Sequence, residues 1–298
     1  MKSFKQKIYL FIVGASLITT VLFTGACDTA GDGGGGFNLF SVEDDVELGA
    51  DLDKQIREAT TDENKLEYPI LDHAQYPGVK TYVQNIVNDI IKAPEVQYEK
   101  LFAYDRVEII HDDKTVNAFC APGGYIYVYT GLLRFVENDA TLAAVLAHEI
   151  AHAERRHSTQ RLTKQYGLSF MFGLLLSDNT AKIAEVLASV ALLKNSQKDE
   201  FEADEYSYKY LKSIYNDHPK YYPGGIKYFF NKIEDVYGTQ DGGILDDLLS
   251  THPKDSERVA KVDALISSAG IAEPTQADLD AWKSDYNANL RSILPPEK

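Results

Sequence analysis

TLAAVLAHEIAHAERRHS, residues 141–158, sets two histidines four positions apart, with a glutamate directly after the first, inside a run of Ala, Leu, Val and Ile. On an α-helix, positions i and i+4 share a face. His148 and His152 can therefore offer ring nitrogens to one ion, and Glu149 projects close enough to reach a water held there. The plain alternative is a buried helix whose polar residues satisfy one another. Burying two imidazoles and a carboxylate among Leu142, Val145, Leu146, Ile150 and Ala151 costs free energy unless they are paired or bind a cation.

The HExxH spacing is that of helical zinc sites, which predicts one Zn²⁺ per chain. Such a site keeps three protein ligands and an open position, so a third ligand must come from elsewhere. KDEFEADEYS, residues 198–207, supplies a candidate. Glu200 and Asp204 are again one turn apart. That spacing allows Glu200 to coordinate while Asp204 accepts a hydrogen bond from the outer nitrogen of His148. Glu202 lies on another side of the helix and should point away. Taken alone, the segment better suits a solvated acidic helix face; the upstream HExxH motif reverses that preference.

Around these two segments, periodicity outlines an α+β fold. Val42–Ala59 and Tyr76–Ile91 repeat apolar residues every three or four positions, as surface helices do, and Pro94 stops the second. Leu101–Ile110, Val116–Phe119 and Tyr125–Tyr129 are rich in β-branched and aromatic residues, punctuated by Pro122-Gly123-Gly124. They predict a small antiparallel sheet beside the HExxH helix, with Tyr125, Tyr127 and Tyr129 on one face and Ile126 and Val128 on the other. Asn138 or Asp139 should cap a helix from Ala140 to about Thr163. Further helices are predicted over 168–193 as an apolar hairpin, Ser196–Ile214, Pro223–Tyr237 and Asp255–Ser267.

The N-terminus reads differently. Lys2, Lys5 and Lys7 precede an apolar stretch, Ile8–Phe23, that is short for a membrane span and closes on small residues before Cys27. This is signal-peptide anatomy over residues 1–26. Small-small-Cys at its end resembles a bacterial lipobox, which implies lipidation of Cys27; Thr24 stands where that motif prefers leucine. Residues 27–40, with DTAGDGGGG, read as a flexible tether, and 41–298 as the folded domain. Asp28 favours inner-membrane retention under one sorting rule, while acidic glycine-rich tethers occur under others. Both periplasm-facing and cell-surface placements in a bacterial envelope therefore stand.

The chain carries 45 acidic against 30 basic residues, and loss of residues 1–26 takes three lysines, moving the formal charge from −15 to about −18. Nucleic acid is a poor partner for such a chain. With Cys27 lipidated, Cys120 has no disulfide partner, so stability rests on the core.

Two more stretches complete a resemblance. NAFCAPGGYIYVYTGLL, residues 117–133, and STHPKDSER, residues 250–258, together with HEIAH and ExEAD, resemble in order the motifs of the gluzincin peptidase family M48, across roughly residues 42–264. The resemblance implies a zincin-like domain and an endopeptidase acting on polypeptides, here envelope proteins including misfolded ones. It implies His148, His152 and Glu200 as zinc ligands, Glu149 as general acid–base, and the edge strand with Asn117, Ala118, Phe119, Gly123 and Gly124 as the place where an extended substrate pairs. It implies that His252 stabilises the oxyanion or occupies the fourth metal position in a latent state, and that Arg258 pairs with an acid at the site. Read from the residues alone, His252 belongs equally to a His-Pro turn, Arg258 to the surface, and the glycines to a β-turn. His157, with Arg155 and Arg156, falls off the ligand face and reads as packing or surface. A metal-bearing lipoprotein that holds unfolded envelope chains without turning them over is the rival expectation, and a metal-free envelope module the second.

Overall fold

The computed structural model describes residues 38–61, 69–165, 195–237, 246–252 and 256–297. The signal peptide, Cys27, most of the tether and the apolar hairpin at 168–193 lie outside these residues.

Helix α1, Val42–Thr61, starts where Ser41 and Asp44 satisfy each other reciprocally: Ser41 N–H donates to Asp44 Oδ2 at 2.7 Å and Asp44 N–H to Ser41 Oγ at 3.2 Å. That fills backbone donors a helix start leaves open. Helix α2, Pro77–Ile90, opens on a proline and buries Val79, Val83, Ile86, Val87 and Ile90, the stripe its periodicity predicts.

Three short strands follow, β1 (Val107–Ile110), β2 (Ala118–Cys120) and β3 (Ile126–Tyr129), in the spatial order β1-β3-β2. β2 and β3 form an antiparallel hairpin through a 3₁₀ turn at Pro122–Gly124, with Ala118 opposite Val128 and Cys120 opposite Ile126. β1 pairs with β3 in parallel, Val107 opposite Ile126 and Ile110 opposite Tyr129. The α+β class holds, and the sheet within it is mixed rather than wholly antiparallel. The hairpin turns β3 back between β1 and β2, so the first and last strands run the same way. Leu101–Arg106, expected as strand, is a set of turns.

The two faces of β3 divide as their alternation predicts. Tyr127 and Tyr129 pack with Leu52 and Ile56 of α1, while Ile126 and Val128 join the main core with α2 and the central helix. That central helix is α4, Asp139–Glu154, reached through α3, Thr130–Phe135. Every residue of α4 is buried, which only a helix surrounded by other elements tolerates.

Around α4 lie α5 (Gln197–Ile214), α6 (Gly225–Tyr237), α7 (Asp246–Thr251), α8 (Ser256–Ser268) and α9 (Gln276–Asn289). α5 is tied to α4 by Ser207 Oγ, which donates to the Ala144 carbonyl at 3.0 Å. α6 approaches so closely that a Cβ on Gly225 would lie 2.1 Å from the Ala140 oxygen. Among the described residues, no helix is long and apolar enough to cross a membrane.

Candidate metal centre

α4 begins where the Asn138 side chain accepts from Thr141 N–H at 2.8 Å, with Asp139 favourably placed in the first turn. Two turns from its end His148 and His152 bring their Nε2 atoms to 3.0 Å. The helix stops at Arg155, because Arg156 is left-handed with φ 58°. Few side chains adopt that conformation unaided. Arg156 is held there by Asp45, with Nε to Oδ2 at 2.6 Å, and by the Phe40 carbonyl at 2.6 Å. Residues 157–165 then resume as helix. The expected single helix to Thr163 is therefore broken, and His157 returns to the site.

α5 carries the third group. Ser196 and Asp199 form a reciprocal cap at its start, which places Glu200 one residue inside. Glu200 is buried, with Oε2 3.5 Å from His148 Nε2 and Oε1 3.3 Å from His152 Nε2. His252 arrives from the end of α7, its Nδ1 3.1 Å from Glu200 Oε1 and its Nε2 3.5 Å from Glu149 Oε1. One ligand atom from each of His148, His152, Glu200 and His252 lies within 4.8 Å of all the others.

This geometry fits a small divalent ion. Bonds of about 2.1 Å in a tetrahedral site put neighbouring ligand atoms about 3.4 Å apart. The three separations among His148, His152 and Glu200 run from 3.0 to 3.5 Å.

Behind this cluster, His148 Nδ1 lies 2.9 Å from Asp204 Oδ1, the arrangement expected from the sequence. Arg258, itself buried, donates to Asp204 Oδ2 from Nε at 2.6 Å and reaches Glu200 Oε2 from Nη1 at 2.6 Å. The acid it pairs with at the site is thus both Asp204 and Glu200. Glu202 points to an outer layer, where it accepts from Arg155 Nε at 2.6 Å and lies 3.5 Å from His157 Nε2.

Burial and charge compete throughout this cluster. Burial alone would raise the Glu200 pKa, but His252, His148 and His152 outweigh it and hold the carboxyl well below its usual range. Burial pushes the His152 imidazole down, so it stays neutral and able to ligate. Burial pushes His148 the same way, yet Asp204 and Glu200 reverse it and lift that ring to about 9. A metal held at His148 would therefore compete with a proton. Glu149 is raised by burial, partly countered by His252, His148 and a hydrogen bond from Cys120 N–H at 3.2 Å.

The edge strand β2 passes over this centre. Phe119, Cys120 and Ala121 line a narrow cleft with Glu149, His152, Asn195 and His252. Asn117 and Ala118 lie at the start of that strand, where the Asn117 side chain accepts from Ala118 N–H at 2.9 Å. Gly123 and Gly124 are not part of the cleft wall. They are left-handed, and added Cβ atoms would meet Asp45 O at 2.9 Å and Phe102 Cβ at 2.7 Å, so their smallness serves packing.

Sequence reasoning missed Asn195, whose Nδ2 sits 3.4 Å from His152 Nε2 and 3.2 Å from His252 Nδ1. Its position just before the Ser196 cap was an available cue. It also missed His157, whose Nδ1 lies 2.8 Å from His152 Nδ1, and Arg161 in the cleft wall.

Two histidines one turn apart, a glutamate beside them and a carboxylate from the next helix, under an edge strand, define the metal-dependent peptidase class. The chain belongs to Peptidase family M48, whose sequence pattern matches residues 77–266. It is 31% identical over 166 residues to the mitochondrial metalloendopeptidase OMA1 of Arabidopsis thaliana, covering 55% of this chain and 32% of that protein. It is 25% identical over 206 residues to the metalloprotease LoiP of Escherichia coli, covering 67% and 74%. It is 25% identical over 197 residues to a putative beta-barrel assembly-enhancing protease of Vibrio cholerae, covering 61% and 38%. The chain spans about a third of the length of the Arabidopsis and Vibrio relatives.

Proposed function

We propose that the protein is a zinc endopeptidase acting on polypeptides of a bacterial envelope, anchored through lipid on Cys27. The observation that carries the reading is the convergence of His148, His152 and Glu200, with Glu149 alongside, in one buried cluster beneath β2, the outer strand of the sheet among the described residues. The names of the LoiP and beta-barrel assembly-enhancing relatives support the envelope assignment, and the sequence of residues 1–40 supports the anchor.

His148, His152 and Glu200 would hold the ion, with Asp204 and His157 fixing the outer nitrogens of the two imidazoles. The ion supplies Lewis acidity, lowering the pKa of water and polarising the scissile carbonyl. Glu149 accepts the proton of the attacking water and delivers it to the leaving amine; a carboxyl raised by burial suits both tasks. β2 offers its outer edge to an extended chain, so backbone pairing presents the peptide bond to Glu149 with little demand on sequence. His252, 3.5 Å from Glu149, donates to the developing oxyanion.

The ligand-like position of His252, 3.1 Å from Glu200, favours a second reading in which the same ring closes the site and the protein holds chains without turnover. One experiment separates the two. Purified protein, shown by elemental analysis to hold one zinc, is given unfolded casein beside a Glu149→Gln control. Cleavage that falls at least about a hundredfold in the control supports the peptidase. Intact casein at full zinc occupancy supports the latent form, and absence of bound metal overturns both. Palmitate labelling that disappears in Cys27→Ser tests the anchor.

A further inference from the structure

Arg161 stands in the wall of the cleft that holds Glu149, His152 and His252, on the helical residues that follow the Arg156 break. Ser158, one turn earlier on the same face, accepts from its Nη2 at 3.2 Å and orients the guanidinium. Thr159 and Thr163 point elsewhere, toward Asn38 at the entry to α1. The residue is partly exposed, yet Nε and Nη1 are shielded from solvent and have no hydrogen-bond partner among the described residues. Two unsatisfied donors on a cation beside a cleft are costly, because each forfeits water without replacement.

The nearby acids do not account for this charge. Desolvation outweighs the attraction of Asp199, Glu200 and Glu149 and leaves the guanidinium below its ordinary pKa. Asp199 is occupied in capping α5, and Glu200 is engaged by Arg258 at 2.6 Å. In the peptidase reading, Glu149, Glu200 and Asp204 would be balanced by Arg258 and the divalent ion. The charge on Arg161 therefore remains for something that enters the cleft. Nε and Nη1 lie on opposite edges of the guanidinium, so each offers a separate charge-assisted hydrogen bond to a carboxylate oxygen, and the peptide-binding strand runs past the same space.

We propose that Arg161 is a specificity-determining residue that binds a carboxylate of the polypeptide substrate close to the cleaved bond. The carboxylate is either an Asp or Glu side chain or the free C-terminus. This inference rests on the peptidase reading and adds to it a preference that edge-strand pairing alone does not supply.

The test uses the zinc-loaded full chain and internally quenched peptides made in pairs. One arm exchanges Asp for Asn at each of three positions on either side of the scissile bond. The other exchanges a C-terminal acid for its amide at varied distance from that bond. In wild type one carboxylate position raises kcat/KM by about tenfold over its neutral partner, chiefly through KM. Arg161→Gln brings that ratio close to one, and Arg161→Lys, which keeps the charge but not the placement of the N–H donors, retains part of it. Because the ratio is taken within each variant, a general loss of activity cancels. Neutral peptides cleaved with no carboxylate advantage at any position overturn the proposal, as does a ratio unchanged in Arg161→Gln. If no peptide is cleaved, the peptidase reading fails, and anisotropy with labelled peptides on Glu149→Gln still decides the role of Arg161. Tenfold tighter binding of the acid than of its neutral partner, lost in Arg161→Gln, upholds it, and equal binding removes it.

Discussion

Arg258 holds Asp204 by two parallel hydrogen bonds, Nε to Oδ2 at 2.6 Å and Nη2 to Oδ1 at 2.8 Å. Its remaining nitrogen reaches Glu200. The guanidinium thus stands behind both the carboxylate of the candidate metal cluster and the one paired with His148. All three groups are buried, so removing the arginine leaves only imidazoles to offset the two carboxylates. Arg258→Ala is expected to lower the unfolding free energy of the metal-free protein by about 3–5 kcal/mol. Arg258→Lys keeps the charge without the fork and should lose less. Urea unfolding of both variants checks the ranking, and a change under about 1 kcal/mol for Arg258→Ala would show that the clasp is not structural.

His157 and His152 face each other through Nδ1 atoms 2.8 Å apart. Only one of the two can donate. For His152 Nε2 to carry a free lone pair toward a metal, its Nδ1 must hold the proton, so His157 Nδ1 accepts. The His157 proton then sits on Nε2, facing Glu202 Oε2 at 3.5 Å. Removing this partner should lower zinc affinity about 10–100-fold while the fold survives. The measurement is chelator competition on His157→Phe, with circular dichroism to confirm the helices. Unchanged affinity would mean that His157 packs without tuning the ligand.

Local signals made much of the centre legible. The cap at Asn138 and the four-residue spacing of His148 and His152 announce α4, and the Glu200/Asp204 spacing announces the supporting face of α5. The parallel pairing of β1 with β3 was hidden, because no short-range pattern says that residues 107–110 lie beside 126–129. The break after α4 was hidden for a similar reason. Neither glycine nor proline marks it, and Arg156 is held left-handed by Asp45, 111 positions earlier. With the break unseen, His157 and Arg161 fall on the wrong faces of an imagined continuous helix.

Glu108, in β1, couples stability to pH. Its carboxylate accepts from Arg57 Nη2 at 2.7 Å and Lys80 Nζ at 3.0 Å, and lies 2.5 Å from His73 Nε2. Burial alone would raise its pKa, but these three partners bring it down to about 2 from the usual 4.5. A carboxyl depressed in the folded state stabilises fully above its unfolded pKa and loses that contribution as pH falls toward the folded one. The partners are about a third exposed, and solvent screening reduces the effect to about 2 kcal/mol. Glu108→Gln should therefore be less stable than wild type at neutral pH. The gap should close between about pH 5 and pH 2, as followed by denaturant unfolding at each pH. A gap independent of pH would place the loss in packing rather than in ionisation.

Gly49 separates close packing from helix propensity. It lies inside α1, where alanine is intrinsically favoured over glycine by about 1 kcal/mol. A Cβ there, however, would stand 1.9 Å from the Pro122 carbonyl oxygen and 2.9 Å from Tyr125 Cδ2. The carbonyl cannot yield easily, because it belongs to the turn whose next two residues, Gly123 and Gly124, are left-handed at φ 73° and 85°. Gly49→Ala is expected to lower stability by about 2–3 kcal/mol, against the propensity gain. Gly270, at φ 64° with nothing within 4 Å of its Cβ position, provides the comparison. Its change to alanine meets backbone strain alone and should cost about 1 kcal/mol. The turn at Pro122 also joins β2 to β3, and β2 carries the Cys120 N–H that donates to Glu149. Displacing it should therefore reduce casein cleavage more than zinc content. Equal stability of Gly49→Ala and wild type would mean that α1 rides over the turn without setting its position.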